Sequence, residues 1–243
     1  MTGAVQNQET LESRINHQGW PALSAKLHDR GFAVTGQLLT EQECEALVNR
    51  FESDAPYRKH VVMARHNYGR GDYKYFAYPL PGSVSMLRQA VYPHLAPVAN
   101  EWAMRLRRDI RFPDSHDDYL QKCHDAGQVR PTPLVLRYRE GDFNCLHQDL
   151  YGDLYFPFQM VVLLSEPGRD FEGGEFMLVE NRPRAQSVGS VVKLQRGQAI
   201  IFAVNERPRM GARGYHRTTL RHGVSELQYG ERYTLGIIFH DAK

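Results

Sequence analysis

From Leu134 onward the chain is a succession of short strand-like segments. β-Branched and aromatic residues dominate these segments, and Gly, Pro, Asp and Asn separate them at short intervals. The segments that the sequence predicts as strands are 134–138, 145–150, 158–164, 175–179, 191–194, 198–204 and 224–239. Short strands in such number bury their apolar sides between two facing sheets, which predicts a jelly roll, that is, a cupin-like double-stranded β-helix.

The first half of the chain carries helical signals. Apolar residues recur at helical spacing before Gly31, and Thr40 and Glu43 have the spacing of a capping box. No linker or low-complexity tract divides the chain. We therefore predict one α+β domain over all 243 residues. Within it, residues 1–130 form a mainly helical scaffold that buttresses the double-stranded β-helix of residues 131–243.

Composition indicates a compact cytoplasmic protein. Hydrophobic residues make up 42% of the chain and charged residues 24%, which is enough apolar surface for a sizeable core. No apolar run reaches the roughly 18 residues that span a bilayer, and no signal-peptide pattern opens the chain. The three cysteines lack CxxC spacing, which argues against disulfides or a zinc cluster. The oligomeric state is not indicated.

The motif His147-Gln148-Asp149 offers an imidazole and a carboxylate two residues apart. Residues at i and i+2 of a strand project from the same face, so a strand at 145–150 would present both ligands to one point. Two histidines and one carboxylate form the facial triad of non-haem Fe(II) oxygenases, in which the remaining coordination positions stay open for reactants. The same donors also bind zinc or manganese, so a metal-dependent hydrolase or a cupin-type oxygenase is an alternative.

Two histidines, His216 and His222, could complete this triad. They are six residues apart and would face the same way on an uninterrupted strand. Arg232 follows at the start of a buried-strand pattern. Its planar, permanently charged guanidinium suits bidentate binding of a carboxylate, and a tyrosine hydroxyl such as that of Tyr138 can add a hydrogen bond. A dicarboxylate cosubstrate fits both groups.

Five segments resemble the Fe(II)/2-oxoglutarate-dependent dioxygenases and occur in the order that this superfamily shows. They cover about the last 110 residues of the chain. The segments are LRY ending at Tyr138, LHQD ending at Asp149, FEGGEF ending at Phe176, HGV ending at Val224 and GERYTLGIIF ending at Phe239. The resemblance implies an oxidoreductase that uses Fe(II), 2-oxoglutarate and O2.

The resemblance also implies roles for single residues. In these enzymes 2-oxoglutarate chelates iron through its keto acid end, and its distal carboxylate pairs with an arginine that corresponds to Arg232. Tyr138 matches a tyrosine that assists in the alkylation-repair branch. The ten-residue interval from His222 to Arg232 resembles that of prolyl-hydroxylase-like members. It favours His222 as the third ligand beside His147 and Asp149, and His216 then becomes a pocket residue.

Two branches of the superfamily share these motifs. The Arg-Tyr138 and Leu-His-Gln-Asp149 segments resemble the alkylation-repair (AlkB-class) dioxygenases, which oxidise N-alkyl groups on nucleic acids. Those enzymes carry a second arginine six residues after the first, where this chain has Ile238. The segment 171–175 instead resembles prolyl hydroxylases. A small bacterial family predicted to act on damaged DNA combines these features, and the chain is similar to it.

Two local basic segments bear on the substrate, because the net charge is only +2 and excludes a globally basic surface. Residues 57–76 carry five Lys/Arg against one acid, interleaved with aromatics, and residues 205–222 carry five Arg against one acid. The residues predicted to face the substrate are Arg70, Tyr73, Arg213 and His216.

The sequence therefore predicts a dioxygenase that hydroxylates or oxidatively demethylates a C–H bond. The absent second arginine and the modest charge favour a small anionic molecule, an amino acid or a peptide as substrate. Alkylated nucleic acid is the alternative. A non-catalytic jelly-roll binding module is a third hypothesis, which leaves the metal ligands without a role.

Overall fold

The helices of the protein lie in the first half of the chain. The structure is a computed structural model that describes residues 9–243. Its α-helices in that range are α1 (Leu11–Asn16), α2 (Trp20–Arg30), α3 (Glu41–Arg50), α4 (Gly82–Arg105) and α5 (His116–Asp125), with a 3-10 helix at Met63–His66. None of these helices combines the length and apolar character needed to cross a bilayer.

Local sequence signals fix several helix ends as predicted. Thr40 Oγ1 accepts from the backbone N–H of Glu43, and the Glu43 carboxylate accepts from the N–H of Thr40 at 2.7 Å, so the predicted capping box forms. Helix α2 ends at Gly31, which adopts the left-handed conformation with φ 79°.

Fourteen strands are present within the described range. They are β1 (Phe32–Gln37), β2 (Tyr57–Val62), β3 (Gly69–Arg70), β4 (Asp72–Phe76), β5 (Leu134–Arg139), β6 (Phe143–His147), β7 (Phe158–Leu163), β8 (Phe171–Gly173), β9 (Phe176–Asn181), β10 (Val188–Val192), β11 (Gln198–Ala203), β12 (Glu206–Gly211), β13 (Gly214–Val224) and β14 (Leu227–Ile238). Each predicted strand segment overlaps one of them, whereas the β12–β13 hairpin was not predicted.

The strands form two antiparallel sheets. The larger has the order β1-β11-β7-β14-β5-β4-β2, with β8 paired to β14, and the smaller has the order β10-β9-β13-β6-β3, with β12 paired to β13. Both sheets draw strands from either side of residue 130, because β1 pairs with β11, β4 with β5 and β3 with β6. The fold is thus a mixed, sheet-rich α/β arrangement.

Helix α4 packs across the core. It buries an apolar face that includes Leu87, Val91, Leu95 and Trp102, and the indole of Trp102 lies 4.5 Å, ring centre to ring centre, from Phe158 of β7. The helix also carries a charge into this interface. The guanidinium of Arg88 is 1% exposed and donates to the Asp241 carboxylate at 2.7 Å and to the carbonyl of Ile238 at 2.8 Å. Arg88 thereby ties α4 to the end of β14.

We expect Arg88→Met to lower the free energy of unfolding by about 3–5 kcal/mol, because it leaves Asp241 buried without its main counter-charge. Urea titration of the purified protein measures this. Arg111→Met is the matched control, since Arg111 is exposed and has no carboxylate within ion-pair distance in the described residues, and it should change stability by less than about 0.5 kcal/mol. A similar, small loss in both variants would show that the buried pair contributes little.

Candidate metal and cosubstrate site

The pairing of β6 with β13 brings the predicted ligands together. His147 and His222 are direct partners in the antiparallel register. The Nε2 atom of His147 lies 3.5 Å from Oδ1 of Asp149, and Nε2 of His222 lies 3.4 Å from Oδ2. One ligand atom from each residue falls within 4.8 Å of the other two. The three side chains therefore converge as a facial triad requires.

Asp149 reaches this point by a different route from the predicted one. Strand β6 ends at His147, so Asp149 does not share a strand face with His147 and the predicted strand over 145–150 is wrong at its end. The intervening Gln148 donates from its amide to Asn205 Oδ1, just before β12, and to the carbonyl of Leu220 on β13, each at 2.8 Å. These hydrogen bonds anchor the segment that carries Asp149.

Asp149 stays ionised between the two histidines. Burial would raise the pKa of Asp149, but hydrogen bonds from His147 and His222 hold it well below its usual range. Burial and the charge of His147 lower the pKa of His222, which favours a neutral imidazole. Burial alone would lower the pKa of His147, but Asp149 raises it. Nδ1 of His147 donates to the carbonyl of Cys145 at 2.7 Å, so Nε2 is the nitrogen of this ring that would bind a metal.

The donor set fits Fe(II). Two imidazole nitrogens and one carboxylate are the ligands of the 2-His-1-carboxylate centre, and the three residues present one such atom each within 4.8 Å of the others. The His222 ring packs against two adjacent aromatic rings, with centroids 4.6 Å from Phe202 and 5.9 Å from Phe176. This packing holds the imidazole in place without using its ligating nitrogen.

The triad opens into a cavity of about 360 Å³ that also contains Arg232. The Arg232 side chain is 3% exposed, and its Nη1 has no hydrogen-bond partner. Within the described residues, no carboxylate lies at ion-pair distance from this guanidinium. Burial lowers the pKa of Arg232 to about 10, so the group remains charged at neutral pH. An uncompensated buried cation facing a cavity is a receptor for an anion.

Tyr138 lies beside this arginine. Arg232 and Tyr138 are partners in the β14–β5 register, and the guanidinium carbon lies 5.7 Å from the centre of the Tyr138 ring. The Tyr138 hydroxyl accepts from Asn144 Nδ2 at 3.2 Å. Burial raises the pKa of Tyr138 to about 12, so its proton is retained and can be donated to a bound carboxylate. The sequence paired these two residues, and the structure places them together.

Two residues predicted to face the substrate lie elsewhere. His216 and Arg213 are exposed on the β12–β13 hairpin, outside the cavity. Six residues of strand separate His216 from His222, which corresponds to about 20 Å. The assignment of both residues to the pocket is therefore corrected, and the distance also excludes His216 as the third ligand. Tyr73 lines the cavity, whereas Arg70 is exposed on β3 beside it.

A short segment that we call the clamp, residues 63–71, borders the cavity mouth. Its Asn67 and Tyr68 line the cavity, and the carbonyl of Tyr68 accepts from the N–H of Cys145 at 2.9 Å. Gly69 has φ 123°, and a Cβ there would lie 2.3 Å from the carbonyl oxygen of Phe143. Only glycine permits this approach. The clamp is thereby held against β6 next to His147.

The clamp presents aromatic and basic groups to solvent. The Tyr68 side chain is 51% exposed and stacks on His66, with ring centres 5.4 Å apart. Arg65 and Arg70 are exposed, and neither has a carboxylate within ion-pair distance in the described residues. Sequence reasoning had named Tyr68 among the aromatics of this basic segment, but it had not predicted Tyr68 as a pocket residue. The glycines on either side of Arg70 were the sequence signal that could have identified this segment.

Other cavity residues were not predicted. Tyr151 donates its hydroxyl hydrogen to Oδ1 of Asp149 at 2.8 Å, and burial raises its pKa well above the usual range. Gln159 is buried on β7, and its Oε1 has no hydrogen-bond partner. Tyr151 lies two residues from the HxD motif, which is a usable signal. The local signal for Gln159 is its amide, the one polar side chain in the apolar strand β7.

Comparison with known proteins places this geometry in a family. Residues 71–242 match the Oxygenase-NA family, described as "Oxygenase, catalysing oxidative methylation of damaged DNA". Two proteins of Mycobacterium tuberculosis, Uncharacterized protein MT2286 (strain CDC 1551 / Oshkosh) and Uncharacterized protein Rv2227 (strain ATCC 25618 / H37Rv), are each 50% identical over 223 residues. The alignments cover 92% of this chain and 91% of each relative.

Solved structures share the fold. A prolyl-4-hydroxylase from Pseudomonas putida has a TM-score of 0.54 at 14% identity, covering 92% of this chain and 99% of that one. An oxidoreductase of the 2OG-Fe(II) oxygenase family from Burkholderia pseudomallei has a TM-score of 0.53 at 18% identity, covering 93% and 94%. The resemblance read from the motifs is confirmed, and with it the cofactors Fe(II), 2-oxoglutarate and O2. The chain belongs to the Oxygenase-NA family and is an oxidoreductase of the Fe(II)/2-oxoglutarate-dependent dioxygenase superfamily.

Proposed function

We propose that this chain oxidises a C–H bond by hydroxylation or oxidative demethylation and releases succinate and CO2. His147, Asp149 and His222 hold the iron, which supplies O2 activation when it is bound with 2-oxoglutarate. The observation that carries this proposal is Arg232, a charged and unpaired group buried in the same cavity as the triad. The two sheets would be arranged as a double-stranded β-helix around this site.

The residues of the chain bind and orient the reactants. Arg232 pairs with the distal carboxylate of 2-oxoglutarate, and the Tyr138 hydroxyl donates a further hydrogen bond to it. Apolar side chains of the cavity, Leu136, Val161 and Phe176, exclude water around the reacting groups. Fixed orientation and a dry site are the main contributions that a protein makes to cofactor chemistry.

Two other functions leave residues of the site without a role. A metal-dependent hydrolase uses the same three ligands but leaves the buried charge of Arg232 without a role. A jelly-roll binding module without catalysis leaves the converging His147, Asp149 and His222 without one. The dioxygenase uses all four residues.

The positions of the Lys and Arg side chains around the cavity indicate the class of substrate. Arg232 is the one Lys or Arg among the described residues that line the cavity, and the cosubstrate occupies it. A small anionic substrate, which the sequence favoured, then has no second cation inside the cavity. The free cations Arg65 and Arg70 lie outside it on the clamp. This arrangement suits a substrate whose reacting group enters the cavity while its charged part stays outside.

We therefore propose an alkylated base of single-stranded nucleic acid as the substrate. The exposed Tyr68 ring at the mouth can stack on a base, and Arg65 and Arg70 can contact the flanking phosphates. The family description, which refers to damaged DNA, supports the same class. A peptide or a small molecule is the alternative outcome of the tests below.

The metal ligands are tested by anaerobic titration. Fe(II) and 2-oxoglutarate together should give wild-type protein a visible charge-transfer absorption, because the chelated keto acid creates it. His222→Ala should abolish the band, and His216→Ala, about 20 Å away along β13, should retain it in full. An undiminished band in His147→Ala would contradict the triad. Oxygen-independent turnover with zinc would favour the hydrolase.

The cosubstrate contact is tested with two keto acids. We expect Arg232→Gln to weaken 2-oxoglutarate binding by about 100-fold, because the distal carboxylate loses its buried partner. Binding of 2-oxobutyrate, which lacks that carboxylate, should change by less than about twofold, since the lost interaction never formed. Titration of the absorption band measures both. The exposed Arg213→Gln is the control, and equal losses for the two acids would assign Arg232 a structural role instead.

The substrate class is tested by succinate release with methylated single-stranded DNA. Each phosphate contact contributes about 0.7 to the log–log salt dependence of single-strand binding, so removing two of them should lower the slope for KM by about 1.4. Arg65→Ala/Arg70→Ala should show this loss with intact 2-oxoglutarate binding, and Arg111→Ala/Arg213→Ala, equal in charge, should not. Turnover of amino acids, peptides or small acids but not of DNA would overturn the nucleic-acid assignment.

A further inference from the structure

The carboxylate of Asp149 is not oriented by the sheet that orients the other two ligands. His147 and His222 are held by paired strands, whereas Asp149 follows the end of β6 in an irregular segment. A carboxylate on such a segment has free rotation about its side-chain bonds unless another group restrains it. A metal centre needs its ligands within a few tenths of an ångström of their final positions. A restraint on Asp149 is therefore required.

Tyr151 supplies a direct contact to that carboxylate. Its hydroxyl donates to Oδ1 of Asp149 at 2.8 Å. Oδ2, which lies 3.4 Å from His222 Nε2, receives no hydrogen bond from Tyr151. The Tyr151 hydroxyl oxygen in turn accepts from Tyr75 at 3.3 Å, so one of its lone pairs is occupied and its own hydrogen points to Asp149.

Other buried contacts fix the position of Tyr151. Gln128 is completely buried, and its amide nitrogen donates to the carbonyls of Leu154 and Asp241 at 2.9 and 2.6 Å, with the Tyr151 carbonyl sharing one of these hydrogens at 3.3 Å. Gly152 passes so close that a Cβ there would lie 2.6 Å from the Gln128 side chain. The tyrosine ring also packs edge-on against Tyr75, with centroids 6.5 Å apart. The hydroxyl therefore has little freedom to follow Asp149 and instead holds it.

We propose that Tyr151 is a positioning residue of the metal centre, which fixes the Asp149 carboxylate between His147 and His222 by holding Oδ1. This inference rests on the proposed iron site. Hydrogen-bond partners of metal ligands typically contribute about 10- to 100-fold to metal affinity. Tyr75 supports Tyr151, and through Tyr73, whose ring is edge-on to Tyr75 at 5.3 Å, the tyrosine cluster reaches the cavity wall.

The test is Tyr151→Phe, which removes the hydroxyl and keeps the ring. Under anaerobic conditions, Fe(II) affinity measured by competition with a chromophoric chelator should fall by about 10- to 100-fold. The melting temperature of the metal-free protein should stay near the wild-type value. The control is Tyr92→Phe, which removes another buried tyrosine hydroxyl, bonded to the Pro113 carbonyl at 3.0 Å, and should leave Fe(II) affinity unchanged.

A double-mutant cycle separates this role from general packing. In an Asp149→Ala background, where the two histidines bind Co(II) weakly, Tyr151→Phe should change the Co(II) affinity by less than about twofold, because its partner is gone. The same change in wild-type background should cost about tenfold or more. Equal effects in both backgrounds, or wild-type Fe(II) affinity in Tyr151→Phe, would overturn the proposal. Failure of the wild-type protein to bind Fe(II) would instead overturn the proposed function.

If Tyr151→Phe loses its fold without metal, 3-fluorotyrosine at position 151 keeps the ring and hydroxyl, adds one fluorine atom and makes the O–H a stronger donor. The Fe(II) affinity should then differ from wild type in a protein of unchanged melting temperature. An affinity equal to wild type in that protein would contradict a positioning role.

Discussion

The register between β6 and β13 is the constraint on which the rest of the site depends. It sets His147 directly opposite His222, and a slip of one residue would turn either imidazole to the other face of the sheet. Gly223 permits this pairing, since a Cβ there would lie 2.7 Å from the carbonyl oxygen of Asn144. Neighbouring β9 continues the sheet, and its Leu178 pairs with His222. The candidate metal site is thus a property of strand pairing as much as of the ligands.

The larger sheet contributes the cationic group of the site, Arg232. Burying this group lowers the stability of the fold. Arg232 is buried opposite Tyr138 without a carboxylate partner in the described residues, and burying an unpaired cation opposes folding. Glu175, which is near enough to raise the Arg232 pKa, is held by the Ser225 hydroxyl at 2.7 Å. The free guanidinium is retained where a dicarboxylate cosubstrate would neutralise it. The proposed cosubstrate contact, and not stability, accounts for this arrangement.

Pairing within the fold decides which basic residues remain available to a substrate. In the segment 57–76, Lys74 is buried and donates to the carbonyl of Ser53, whereas Arg65 and Arg70 stay exposed. In the segment 205–222, Arg207 is buried against Glu180, with the guanidinium 2.8 Å from its carboxylate. Two segments with the same basic count therefore differ in the surroundings of their charges. The first borders the cavity, and much of the second holds the β12–β13 hairpin in place.

The sequence by itself determined the elements whose signals are local: the capping box at Thr40, the strand-rich second half, and the HxD and Arg232 motifs that lie on or beside β6 and β14. It could not determine that β6 ends at His147 or that Tyr151 holds Asp149, because both depend on contacts with distant Gln128, Leu220 and Asn205. The β12–β13 hairpin was not predicted because its arginines obscure the alternation of apolar and polar residues that indicates a strand. Only tertiary pairing shows which charges are neutralised and which histidine faces the cavity, since strand register and burial are set by residues far apart in the chain.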